Sequence, residues 1–238
     1  MALFGVNFSV YYFLLRRNWR ASLGNSELHA YWAILLGSTL IIAFNILPQA
    51  GDFLTSLRLS FFQVSTIMTT TGYATADFDL WPQLSRTLLT ALMLVGASAG
   101  STGGGMKLTT VAVLMMAVSA HLRRRNDVDL FSRRIDPETV RKAFCNCTFY
   151  LSLMLSVSFV ILAVQQEMLM KDVFFECISA IGTVGLSTGI TRDLLPLSKA
   201  LVLLLMYVGR VGSVTVFIAV SRKKTSKLRY PVEHIIIG

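Results

Sequence analysis

Apolar residues run through this chain in long stretches that polar residues interrupt at a few sharp places. Ala30 to Leu47 is the first stretch long enough, at ~1.5 Å per residue, to cross a ~30 Å hydrocarbon core as a helix, and Pro48 closes it. Phe53 to Met68 is shorter and carries Thr, Ser and Arg, which predicts a helix that enters the apolar layer and stops midway. A further run begins at Trp81-Pro82, stays apolar to Val95, breaks into a glycine-rich segment, resumes at Met106 and exits at Arg123-Arg124-Arg125. The pattern then repeats. Ala143 to Val164 predicts a full span, Phe174 to Ile181 a short helix, and Leu197 to Val220 a return. Met1 to Leu15 falls short of the ~20 residues a span needs and ends in Arg16-Arg17, so it reads as the cytoplasmic end of a helix begun before this sequence.

The repetition has a fixed offset. Sliding the sequence by 113 positions lays Phe61-Phe62 on Phe174-Phe175, Thr70 on Thr183, Gly72 on Gly185, Thr75 on Thr188, Leu84-Ser85 on Leu197-Ser198 and Gly96 on Gly209. One offset across such a span marks an internal repeat. Each copy places a Thr/Gly loop directly after its short helix: Thr69-Thr70-Thr71-Gly72-Tyr73-Ala74-Thr75 and Gly182-Thr183-Val184-Gly185-Leu186-Ser187-Thr188. An extended loop that bends at glycine can aim successive carbonyls at one axis. A ring of such oxygens replaces the water shell of a dehydrated alkali cation. The candidate ion-coordinating residues are therefore Thr70, Thr71, Gly72 and Tyr73, with Thr183, Val184, Gly185 and Leu186. Within them, the backbone carbonyls of Thr70, Thr71, Gly72, Thr183, Val184 and Gly185 are the candidate ligands for K+.

Composition narrows the class. Apolar residues make up 54% and charged residues 15%, well below the roughly one quarter of a soluble domain, so the chain reads as a polytopic membrane protein. The net charge of +9 does not indicate nucleic acid, because the basic residues gather in short segments beside apolar runs: Arg16, Arg17 and Arg20; Arg123 to Lys142; and Arg222 to Arg229. That placement marks cytoplasmic faces. Asp52, Asp77, Asp79, Glu167, Asp172, Glu176 and Asp193 fall in the opposite, outer segments and form either a slightly acidic mouth or ordinary solvated loops. Cys145, Cys147 and Cys177 are too few for a disulfide framework, lack a metal-site pattern, and read as small apolar packing residues.

The break inside the first return span is the second candidate site. Gly96-Ala97-Ser98-Ala99-Gly100-Ser101-Thr102-Gly103-Gly104-Gly105 holds five glycines in ten positions, more than close helix packing requires. It reads as a flexible intramembrane gating loop, with Gly96, Ser98, Gly100, Ser101, Thr102, Gly103, Gly104 and Gly105 as its site residues. The same stretch mimics a G-x-S-x-G elbow and a phosphate loop. It lacks the strand-turn-helix setting of the first, and Met106 stands between the last glycine and Lys107 in the second. No enzyme is indicated. Arg210, which the repeat aligns with Ala97, lies inside the last apolar run and must face a cavity or a partner. It is either a latch donating to carbonyls of the 96–105 loop or a structural arginine satisfied by helix ends.

Thr70-Thr71-Gly72-Tyr73-Ala74-Thr75, the string from Gly96 to Gly104, Gly209-Arg210-Val211-Gly212 and Tyr230-Pro231-Val232-Glu233 together resemble the ion-conducting subunit of the Trk/Ktr/HKT potassium transporters, of the TrkH/KtrB type. The resemblance implies a potassium filter at the two Thr/Gly loops, a gate at 96–105, an arginine latch at Arg210, a bacterial inner-membrane location and no cofactor beyond the transported K+. It also implies a homodimer of full subunits and control by a cytoplasmic nucleotide-binding partner of the TrkA or KtrA kind. That family surrounds one pore with four repeats, whereas two are present here, so the chain is similar to the C-terminal half and needs either the N-terminal half or a second copy.

The expected fold is all-α: two helix–pore-loop–helix repeats of a pseudo-fourfold, potassium-channel-like architecture. Residues 1–20 are the remnant of a preceding transmembrane helix, 21–122 the first repeat with its broken second helix, and 123–140 a cytoplasmic linker. Residues 141–222 form the second repeat and 223–238 a cytoplasmic tail. The expected function is potassium uptake. The alternatives are a Na+-permeable transporter of the same family, a non-conducting half-transporter that serves only in assembly, and a carrier with broken helices.

Overall fold

The computed structural model describes residues 1–125, 127–130 and 133–212, and helices account for most of them. Two short helices, α1 (Phe8–Leu15) and α2 (Trp19–Leu23), lead into the long α3 (Ser26–Ala50) and the shorter α4 (Phe53–Met68). An extended break separates α5 (Gln83–Leu94) from α6 (Leu108–Leu122). Strands β1 (Val128–Leu130) and β2 (Arg133–Ile135) pair antiparallel, and α7 (Pro137–Val164), α8 (Met170–Ile181) and α9 (Pro196–Val211) follow. The end of the expected return span to Val220, the basic segment from Arg222 to Arg229 and Tyr230 to Glu233 lie outside the described residues.

Helix length sets the architecture. With 25 and 28 residues, α3 and α7 reach about 37 and 42 Å, enough to cross an apolar layer. By the same rise α4 reaches only about 24 Å, and α5 and α8 about 18 Å each. None of these three is long enough to cross such a layer alone, and α6 continues beyond the break that ends α5. The outer surface suits that setting: Phe44, Met115, Phe159 and Leu203 are each more than half exposed along helices.

Local chemistry explains where the helices begin and end. The side chain of Asn25 accepts the Glu27 N–H at the start of α3, and Asp52 accepts the Thr55 N–H at the start of α4. Pro48 does not close α3 as the sequence suggests. It lies inside the last turn, and the helix ends at Gly51, whose left-handed backbone (φ 75°) turns the chain toward α4. Helix α7 starts at Pro137, six residues before Ala143, because proline suits the first helical position. Helix α8 starts four residues before Phe174, and α6 resumes at Leu108 instead of Met106. The β1–β2 strand pair sits in the segment expected to be only a linker.

The 113-residue repeat is visible in the helix bounds. Helices α4 and α8 end at Met68 and Ile181, and α5 and α9 begin at Gln83 and Pro196. One continuous core joins the two units, with Leu35, Ile42, Met68, Met93, Ile161, Ile181 and Leu205 all below 2% exposure. The Phe78 ring stacks on Phe175 across the units at 5.4 Å. Of the cysteines, Cys177 is buried and fits the packing role, whereas Cys145 is exposed on α7 and Cys147 half-buried.

Helix α9 meets the end of α8 through Gly209, where an added Cβ would lie 2.1 Å from the Ile181 carbonyl oxygen. Backbone cannot yield that distance cheaply, so Gly209→Ala is expected to lower the thermal midpoint of the purified protein by several degrees. Gly37 of α3 has open space around the same atom, and Gly37→Ala is expected to raise the midpoint, because a helical Gly-to-Ala change contributes ~0.5–1 kcal/mol of stability. Differential scanning fluorimetry in detergent distinguishes the two.

Candidate functional site

Helices α4 and α8 terminate in the same hydrogen-bonded cap. In α4 the Thr70 N–H donates to the Ile67 carbonyl at 3.0 Å and the Thr71 N–H to the Thr66 carbonyl at 2.8 Å. In α8 the Thr183 N–H donates to Ala180 at 3.0 Å and the Val184 N–H to Ser179 at 2.9 Å. Both are Schellman caps, which normally place glycine at the left-handed position. Here that position is threonine, with φ 52° at Thr70 and 55° at Thr183. A side chain in that region costs roughly 1–2 kcal/mol, and the strain is carried twice, at equivalent points. Two residues later each chain turns again through a left-handed glycine, Gly72 (φ 79°) and Gly185 (φ 84°).

The loops meet. A Cβ on Gly72 would fall 2.3 Å from the Val184 carbonyl oxygen, so the backbones of the two loops lie directly against one another. Val184 and Leu186 are buried, while Thr71, Tyr73 and Gly185 are exposed. The C-terminal ends of α4 and α8, with their partial negative charge, point to this junction and favour a cation there.

The 95–107 break passes beside both loops. The Gly104 N–H donates to the Thr70 hydroxyl at 3.1 Å, and a Cβ on Gly104 would lie 1.9 Å from the Thr183 hydroxyl oxygen. One backbone position thus touches the threonine of each repeat. Hydrogen bonds from the Gly96 N–H to the Met106 carbonyl (2.8 Å) and from the Leu108 N–H to Ala97 (3.2 Å) close the base of the loop. The Gly105 N–H donates to the Gly209 carbonyl at 3.3 Å, and the Tyr150 hydroxyl donates to the same oxygen at 3.3 Å.

Charged side chains hold the loop from several directions. Arg210 Nη1 donates to the Thr102 carbonyl at 3.1 Å, and Lys107 Nζ donates to the neighbouring Gly103 carbonyl. On another side Glu27 accepts the Ala99 N–H at 2.8 Å through one carboxylate oxygen and the Asn7 amide at 3.2 Å through the other. The N-terminal segment runs alongside: the Ser98 N–H donates to Gly5, the Phe8 N–H to Gly100, and the Thr102 hydroxyl to Phe4. The Ser101 hydroxyl turns inward to the Ser98 carbonyl at 2.7 Å.

The two Thr/Gly loops, the 96–105 loop and Arg210 therefore gather in one region. Sequence reasoning did not single out Glu27 or Lys107 for it. Glu27 looks like an ordinary acid in the first turn of a helix, and Lys107 drew notice only within a rejected phosphate-loop pattern. A lone lysine between a glycine break and an apolar helix was the available signal. Glu176, expected in a solvated outer segment, instead lies within α8 at 7% exposure, in the stretch of that helix that is buried from Phe175 to Ile181.

Comparison with known proteins gives a consistent picture. The family profile of TrkH, a cation transport protein, matches residues 46–228. Ktr system potassium uptake protein D of Bacillus subtilis is 34% identical over 76% of this chain and 40% of its own length. The potassium/sodium uptake protein NtpJ of Enterococcus hirae is 32% identical over 79% of this chain and 43% of its own. The crystal structure of the potassium transporter TrkH from Vibrio parahaemolyticus superposes with a TM-score of 0.83 at 20% identity, covering 92% of this chain and 50% of that one. This chain thus spans about 40% of the length of these curated relatives.

The two turn glycines are not equivalent, and substitution should show it. Gly185→Ala meets open space and carries only the left-handed backbone cost of about 1–2 kcal/mol. Gly72→Ala adds a collision with the Val184 carbonyl and is expected to lower the thermal midpoint by clearly more than Gly185→Ala. Equal shifts for the two variants would show that the loops do not touch.

Proposed function

Because the chain belongs to the TrkH family of cation transport proteins, we propose that it forms part of the permeation path of a membrane potassium-uptake protein. The observation that carries this reading is the duplicated cap: two Thr/Gly loops with the same backbone turns brought side by side at the ends of two half-length helices. In this reading the carbonyls of Thr70, Thr71, Gly72, Thr183, Val184 and Gly185 supply oxygens to a dehydrated cation. Two loops do not enclose an ion, so further repeats complete the ring, from an N-terminal half or a second copy. The basic segments face the cytoplasm of a bacterial cell, by the distribution of Lys and Arg. The relatives are named as parts of Ktr systems, which supports a cytoplasmic regulatory partner of the TrkA or KtrA kind.

The 96–105 loop is the gate in this scheme. It sits against Thr70 and Thr183, and Arg210 and Lys107 fix two adjacent carbonyls of it while placing positive charge beside the path. A cation passes when the loop withdraws from the threonines. The name of the Enterococcus relative, a potassium/sodium uptake protein, favours a second reading in which sodium also passes.

Rubidium uptake tests both roles in cells that lack their own potassium importers, with the chain expressed alone or with the N-terminal half of a related transporter. Gly72→Val and Gly185→Val are expected to abolish uptake at unchanged surface expression. Wild-type flux in both would remove the filter assignment. Arg210→Ala is expected to raise uptake by up to about tenfold, the shift that a hydrogen bond of ~1.5 kcal/mol from a charged donor can hold. Unchanged uptake would remove the latch. Sodium competition in the same assay separates the potassium reading from the mixed one.

A further inference from the structure

The 113-residue register pairs Glu176 of α8 with Gln63 of α4, each five residues before the end of its helix. Both are more than nine-tenths buried. One carboxylate oxygen of Glu176 accepts the Thr191 hydroxyl at 2.5 Å, and Thr191 shares a 2.8 Å hydrogen bond with the Ser187 hydroxyl. Ser187 in turn accepts the Gly189 N–H at 3.0 Å, just beyond the second Thr/Gly loop. The other carboxylate oxygen, Oε2, is buried with no hydrogen-bond partner among the described residues. No basic side chain pairs with Glu176 among those residues either.

The first repeat lacks this arrangement. Ala74 and Phe78 stand at the register positions of Ser187 and Thr191, and the neutral Gln63 stands at that of the carboxylate. Glu176 also opens on the same cavity, of about 430 Å³, as Thr183, Gly185, Ser187, Thr191 and Arg210. Along the helix it sits only ~7.5 Å from the last residue of α8, close enough for its charge to act on a cation at the loop.

We propose that Glu176 determines how the second loop receives its cation: the Thr191–Ser187 brace fixes the loop, and the carboxylate charge draws the ion to Thr183–Gly185. This rests on the reading of the Thr/Gly loops as cation sites. The unequal pair, a carboxylate in one repeat and an amide in the other, makes the two sides of the path electrostatically different. A buried carboxylate with one oxygen unpaired is costly unless a positive charge comes near, and a permeating cation is such a charge.

Two substitutions separate charge from brace. Glu176→Gln copies the sister repeat, keeping an oxygen for the Thr191 hydroxyl while removing the charge. Thr191→Val keeps the charge and removes the donor. In the rubidium assay Glu176→Gln is expected to raise the apparent KM roughly tenfold with Vmax retained. Thr191→Val is expected to weaken the preference for rubidium over sodium instead. Unchanged KM in Glu176→Gln, or the same change in both variants, overturns the proposal.

Absence of uptake by the wild type would bear on the transport reading and not on this one. In that case the midpoint of the purified protein, titrated with potassium chloride against choline chloride, decides. A roughly tenfold higher potassium concentration for half-maximal stabilisation of Glu176→Gln is expected. The same titration curve for wild type and variant, or no potassium response in either, overturns it.

Discussion

Every backbone N–H and carbonyl held at membrane depth needs a partner, and the non-helical segments of this protein are organised by that demand. A helix satisfies it internally, but α4, α5 and α8 are too short to cross such a layer and each gives way to non-helical chain. The two Schellman caps return the first N–H groups of each loop to its own helix. The 95–107 break supplies the remaining solution: its N–H groups reach Thr70, Gly209, Gly5 and Glu27, and its carbonyls receive Arg210, Lys107 and Phe8. In the proposed function, a cation serves the carbonyls of the Thr/Gly loops in the same way.

The same demand explains why small residues concentrate here. A single backbone position, Gly104, lies between two threonines from different repeats, and a side chain would separate them. The cost appears as left-handed backbone at Thr70 and Thr183, where threonine replaces the usual glycine and adds a hydroxyl at each turn. Duplication gave two copies of this device, but their surroundings differ. Phe78 stacks on Phe175 behind one loop, while Thr191 and Glu176 form a polar brace behind the other.

Much of this was legible in the sequence. The 113-residue offset locates both loops, and the apolar run of 53–68 matches α4 residue for residue. Pro48 misled because α3 continues through it to Ala50, and the left-handed Gly51 and not the proline marks its end. The early start of α7 was hidden by Arg141 and Lys142, which lower apparent hydropathy without disfavouring helix. Glu27 was missed as a site residue, and Glu176 was expected in a solvated outer segment, for a common reason: a carboxylate reads as solvated until the fold shows which backbone or hydroxyl group it meets. Hydrophobic pattern reports depth, and it is silent on which polar groups meet across elements far apart in sequence.

The Gly209 carbonyl receives both the Gly105 N–H of the intramembrane loop and the Tyr150 hydroxyl of α7, and Arg210, the next residue, holds Thr102. Three hydrogen bonds, two from the loop and one from α7, therefore converge on two consecutive residues of α9. Sliding or rotating that helix strains these contacts jointly. For the proposed gate, this linkage implies that the loop gives up its hold on Gly209 and Arg210 as a unit, so that a small displacement at the end of α9 opens it cooperatively instead of by degrees.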